Sequence, residues 1–182
     1  MRLNALSLSL LLLLLIYGCA PKLPEGAGDD LRKKLYYDAN LAFSVAVPEE
    51  WDRSFISPPP MSPAKYAVFW RGAIDELPPR YVEMHVARLG DQNHEQLRNA
   101  ALNDFKLAHP GFTLTAEKPL SDALNAPILL LGHTSSRSFQ LVLFLPPDVG
   151  FMLDFSAPPE DFETYQPLFN LILDSFQPIK QP

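Results

Sequence analysis

Four histidines, His85, His94, His109 and His133, carry most of the chain's capacity for acid–base and metal chemistry near neutral pH, since an unperturbed imidazole titrates at about 6.5. A helical zinc pair needs two histidines about four residues apart with a glutamate between them, and no two of the four stand in that relation. His94 and His109 bracket a helical segment, where solvated or capping roles suffice. His85 and His133 both fall in strand-like segments, so folding can bring them together with Glu83 in one cleft suited to a small hydrolase or a ligand-binding protein. Ser135, Ser136 and Ser138 lie near His133, but no Gly-x-Ser-x-Gly elbow surrounds them. A triad also requires convergence in space, which proximity along the chain does not supply. The adjacent carboxylates Glu49/Glu50 and Asp29/Asp30 suit solvated turns rather than acid–base work, and the glycines are too scattered to cradle phosphate. No catalytic residue, cofactor-binding residue or metal ligand is assigned, and no cofactor is expected.

A second concentration is aromatic and proline-rich: Trp51, Phe55, Pro58, Pro59, Pro60 and Met61, followed by Tyr66, Phe69 and Trp70. Proline-rich segments dock on partners with little loss of conformational entropy, so the first six residues form a possible partner surface. The alternative is that Trp51, Phe69 and Trp70 fill the core while the prolines stiffen a loop over residues 57–63.

The balance of 15 basic and 21 acidic residues gives a net charge of −6 without a basic stripe. That argues against nucleic acid, whose binding draws on cations that release phosphate counterions. The single cysteine excludes an internal disulfide. With 47% hydrophobic residues the chain can bury a substantial core.

That cysteine, Cys19, ends an export-type segment. Met1 and Arg2 give a cationic start, residues 3–18 are almost wholly apolar, and the run is shorter than the roughly 20 residues a membrane-spanning helix needs. The closing Ile16-Tyr17-Gly18-Cys19 resembles the lipobox of bacterial lipoproteins, with Tyr17 departing from the usual small residue. The resemblance implies removal of residues 1–18 as a signal peptide by cleavage between Gly18 and Cys19, and acylation of the Cys19 thiol. Two or three acyl chains hold firmly where one binds marginally. Ala20, rather than aspartate, follows the cysteine, which in the Gram-negative sorting pattern implies an outer-membrane location facing the periplasm. Residues 19–35 then read as a flexible tether, in which Arg32, Lys33 and Lys34 stand ready either for solvent or for lipid phosphate.

Hydrophobic periodicity predicts strands over residues 41–47, 65–71 and 80–89, then a helix capped by Asn93 and ended by Pro110-Gly111. Four more strands follow over 112–118, 127–136, 139–145 and 151–156, with a turn at 146–150 before the last. Phe162, Tyr165, Phe169, Ile172, Leu173 and Phe176 recur at helical spacing, and Pro167 predicts that this last helix starts near Thr164–Tyr165 or kinks there. The order βββαββββα implies a single α+β domain over residues 36–178, a mixed and largely antiparallel sheet of about seven strands covered by two helices, with residues 179–182 as a tail. This order, with Phe43-Ser44-Val45-Ala46-Val47-Pro48-Glu49-Glu50-Trp51 and Phe169-Asn170-Leu171-Ile172-Leu173-Asp174-Ser175-Phe176, resembles the PsbP-like α/β/α sandwich family, which includes DcrB-type envelope lipoproteins. The resemblance implies a membrane-anchored accessory or binding module, not an enzyme, that engages another envelope protein.

Overall fold

The computed structural model describes residues 32–56, 64–90, 94–123, 126–145 and 150–179. The signal segment, Gly18, Cys19, most of the tether, the Asn93 cap, the turn at 146–149 and residues Pro58, Pro59, Pro60 and Met61 lie outside them.

The architecture follows from alternation. Along β5 (Pro79–Leu89), Val82, Met84 and Val86 point to one side of the sheet, and His85, Ala87 and Leu89 to the other. β9 (Phe151–Ala157) is buried throughout, as expected of a strand covered on both faces. Seven strands form one sheet in the order β3-β4-β5-β9-β8-β7-β6. The others are β3 (Asp52–Ile56), β4 (Ala64–Glu76), β6 (Thr113–Pro119), β7 (Ile128–His133) and β8 (Ser138–Phe144). A small second sheet pairs β1 (Lys33–Asp38), β2 (Phe43–Pro48) and β10 (Gln177–Pro178) in the order β1-β2-β10.

Two layers cover the large sheet. Helix α1 (His94–Ala108) sets Leu97, Ala101 and Phe105 against Leu89, Leu130, Phe139 and Leu141. On the opposite face, α2 (Pro159–Ser175) stacks Phe169 on Phe155 at 5.1 Å between ring centroids, and Phe43 of the small sheet meets Phe151 at 6.1 Å. Ser175 Oγ accepts the Ala46 amide at 2.9 Å and so ties α2 to β2. The expected α+β fold of two helices on a seven-stranded sheet is therefore present.

Several details differ from expectation. Every described strand pair is antiparallel, so the sheet is not mixed. Strand β1 begins at Lys33, inside the segment expected to be a tether, and Ile179 of the expected tail donates its amide to the Ala42 carbonyl at 2.7 Å. Strand β3 occupies a stretch, between Trp51 and the loop expected over residues 57–63, for which no element was expected; all five of its residues are exposed, and pairing with β4 alone defines it. Helix α2 starts at Pro159 rather than near Thr164–Tyr165. Proline suits a first turn, whose amides have no helical partner, and Glu160 and Asp161 favour the positive end of the helix dipole. Pro167 lies inside the helix at a cost of about 3 kcal/mol. Burial of Leu168, Phe169 and Ile172 offsets that cost at about 1.5–3 kcal/mol each.

Candidate functional site

The α1 side of the sheet carries the chemistry. In the β5–β9 register His85 faces Asp154, so both side chains point to the same face. His85 Nδ1 lies 2.7 Å from Asp154 Oδ1. A carboxylate only accepts hydrogen bonds, so Nδ1 carries the proton and Nε2 is left for other partners. Asp154 is 5% exposed and His85 23%. On the other flank Phe69 of β4 stacks on the imidazole at 4.8 Å and 24°. Burial is the largest influence on His85 and presses its pKa down. The charge and hydrogen bond of Asp154, with help from Glu83, outweigh it, so His85 titrates above 6.5.

Beside this pair a pocket of about 180 Å³ opens between the sheet and the C-terminal turns of α1. Ala67 and Ala87, cross-strand neighbours on β4 and β5, form its sheet wall, and Phe105, Ala108 and His109 form its helix wall. Met152 and the His85–Asp154 pair close one side, and Asp104 stands at another. Burial holds the His109 pKa below 6.5, and the ring packs on Phe105 at 4.3 Å and on Phe139 at 4.8 Å.

Farther along the same face, Glu83 is committed to two arginines. Arg71 Nη2 donates to its Oε1 at 2.8 Å, and Arg137 Nη2 lies 3.2 Å from Oε2. The Arg71 guanidinium also lies over Tyr81 at 4.7 Å. Glu83 is therefore near His85 but occupied elsewhere.

His133 does not join His85. The row His85, Asp154, Leu141, Leu130 crosses from β5 to β7, and His133 sits three residues beyond Leu130. Three strand spacings give roughly 14 Å across, and three residues give roughly 10 Å along. An offset of three residues also turns the side chain to the opposite face from Leu130. The cleft expected between His85 and His133 is thus replaced by one that unites His85, Asp154 and His109. Ser135 and Ser136 are exposed in the turn after β7. Asp154 is the residue that sequence reasoning missed; the signal was one carboxylate in the apolar run Phe151-Met152-Leu153-Asp154-Phe155. Among the described residues no three His, Cys, Asp or Glu side chains group as metal ligands, and no described helix is long and apolar enough to cross a membrane.

The expected partner surface divides. Trp51 is 8% exposed, packed over Gly72, and so is not available to a partner, whereas Phe55 on β3 is 67% exposed. Trp70 is also buried, in agreement with the core alternative.

The fold is similar to that of the cyanobacterial PsbP protein CyanoP from Synechocystis, with a TM-score of 0.59 at 12% identity over 81% of this chain and 93% of that one. At this identity the likeness is one of fold. LpqN of Mycobacterium tuberculosis, described as involved in cell envelope biogenesis, aligns at a TM-score of 0.49 and 15% identity over 82% of this chain and 91% of its own. A Pseudomonas aeruginosa protein of unknown function aligns at 0.46 and 16% identity over 82% and 99%. These two looser matches add no constraint. No family model and no curated protein matches the sequence.

Proposed function

We propose that this chain is a lipid-anchored bacterial envelope protein whose soluble domain binds another envelope component without transforming it, with the His85 pocket as the receiving site. The anchor reading rests on Ile16-Tyr17-Gly18-Cys19 behind an apolar run, and Ala20 favours the outer membrane. The binding reading rests on one observation. Among the described residues His85 hydrogen-bonds to Asp154 and to no other side chain, so the pocket holds a base and its orienter without an attacking hydroxyl or thiol.

Mass spectrometry of the mature protein tests the anchor: the expected product starts at Cys19 and carries acyl groups, and an unmodified thiol in soluble material would overturn it. A photo-crosslinker at Phe55 or Ile56, in the native and Cys19→Ser forms, tests the engagement. A discrete adduct that depends on the anchor is expected, and uniform background labelling would count against it.

The same dyad supports a second reading, in which His85 activates water for hydrolysis. Ester turnover that depends on His85 would favour that reading over the first.

A further inference from the structure

Most of the sheet beneath α1 is filled by large side chains: Leu89, Leu130, Phe139, Leu141 and Leu143. At one end the pattern changes to alanine, with Ala64, Ala67 and Ala87 on the strands facing Ala108 on the helix. A helix–sheet layer spaced for leucine and phenylalanine but lined with methyl groups leaves a slot. Its volume, about 180 Å³, is that of an aromatic ring, since a cavity of about 150 Å³ holds benzene. The Phe105 ring and the Met152 thioether on its walls suit an aromatic guest.

The polar groups narrow the guest further. No buried polar side-chain atom lacks a partner among the described residues, and His85 bonds only to Asp154, so its Nε2 is an accessible site rather than a sealed one. The buried carboxylate of Asp154 disfavours an anion. A protonated His85 disfavours a cation. A neutral hydroxyl suits either state of the imidazole, because it donates to a bare Nε2 and accepts from a protonated one.

We infer that this slot binds a phenolic ring, edge-on to the alanines, with its hydroxyl on His85 Nε2. The inference deepens the binding reading above and rests on it. The phenol can be a free small molecule or the tyrosine side chain of a partner; both present the same ring and hydroxyl.

The experiment follows the imidazole and methyl NMR signals of the mature, detergent-solubilised protein while p-cresol is added. Saturable shifts at His85, Ala67 and Ala87 are expected, with p-cresol binding about tenfold more tightly than toluene, the factor one hydrogen bond supplies. His85→Asn keeps a donor for Asp154 but removes Nε2, so it should erase the preference over toluene while the fold persists. Ala67→Leu should fill the slot and abolish binding of both ligands. N-acetyltyrosinamide distinguishes the sources: affinity equal to p-cresol assigns a protein-borne tyrosine, and a tenfold loss assigns a free phenol. Absence of p-cresol shifts in a natively folded protein, equal affinity for toluene, or undiminished binding by Ala67→Leu would each overturn the phenol site and leave the anchored binding reading standing. Conversely, His85-dependent hydrolysis of p-cresyl acetate would overturn the non-catalytic reading and leave the phenol site in place.

Discussion

Nδ1 of His85 on β5 stands 2.7 Å from Oδ1 of Asp154 on β9, and the two residues face one another in the strand register. The contact governs how stability responds to pH. An unfolded histidine titrates near 6.5, and His85 in the fold titrates above that value. Its contribution is therefore full below pH 6.5 and is lost as the pH rises through the folded pKa. His109 acts in the opposite direction: its folded pKa lies below 6.5, so stability is full above 6.5 and is lost as the pH falls through that depressed value. Unfolding free energy measured by denaturant between about pH 5 and 8 should peak at about pH 6.5, where an unperturbed histidine titrates. His85→Asn should flatten the alkaline limb and leave the acid limb. A native profile that climbs steadily toward pH 8 would refute this assignment.

Gly72 and Trp51 depend on each other in the same way. A Cβ at Gly72 would lie 2.7 Å from Cδ1 and Cε2 of the Trp51 indole, closer than side chains pack. Trp51 is buried and cannot simply swing aside. Gly72→Ala should destabilise the domain by about 1–3 kcal/mol, the usual range for overpacking, with a shift in tryptophan fluorescence as the ring moves. Unchanged stability and emission would show that the ring has room to yield.

Arg137, in the turn just ahead of β8, joins β5 and β9. Pairing of β5 with β9 ends at Glu83 and Ser156, and the guanidinium takes the carbonyls of Tyr81 at 3.2 Å and Ser156 at 3.0 Å, with Ser156 Oγ at 3.0 Å. Burial is the main force lowering its pKa, and the charges of Glu83 and Asp154 oppose it. A lysine ammonium cannot reproduce this planar fork. Arg137→Lys should lower stability by about 1–3 kcal/mol through carbonyls left without donors. Denaturant melts check this, and amide exchange should accelerate first at the Glu83–Ser156 end of the ladder.

What could be read from the sequence was whatever repeats with a short period. The alternation in Phe43, Val45 and Val47 and the helical recurrence of Phe169, Ile172 and Phe176 each report burial of one face, and the corresponding elements formed. Strands β1 and β3 were not legible because they lie at sheet edges; Leu35, Tyr37, Phe55 and Ile56 stay exposed, so no burial pattern marks them. The site was half legible. His85 stood out by its chemistry, but its partner depended on which strands become neighbours. The chain order β5, β6, β7, β8, β9 gives no hint that β9 inserts beside β5. His133 was the nearer guess along the chain and the wrong one in space.

Asp38 organises the β1–β2 turn and sets the alkaline limit of the fold. Its Oδ1 accepts the amides of Asn40 and Leu41, both at 2.9 Å, and its Oδ2 accepts the Tyr36 hydroxyl at 2.7 Å. Burial, then the hydrogen bond and charge of Asp38, push the Tyr36 pKa up to about 12 from 10.0, with Arg53 pulling weakly the other way. For an acid whose pKa is raised by folding, stability is full below the unfolded value and is lost as the pH rises from 10.0 through about 12. An ultraviolet titration should therefore show Tyr36 ionising well after the ordinary phenols, as the domain opens, with Tyr165, which burial also raises, as a late group independent of Asp38. Asp38→Asn separates the two roles. The amide oxygen still accepts the turn amides, so the hairpin should persist, while the neutral amide no longer holds the phenol proton and the Tyr36 ionisation should move toward 10.0. Asp38→Ala removes both roles and should cost about 1–3 kcal/mol at neutral pH. If Asp38→Asn leaves Tyr36 where it was, burial alone sets that pKa and the hydrogen bond to Asp38 does not.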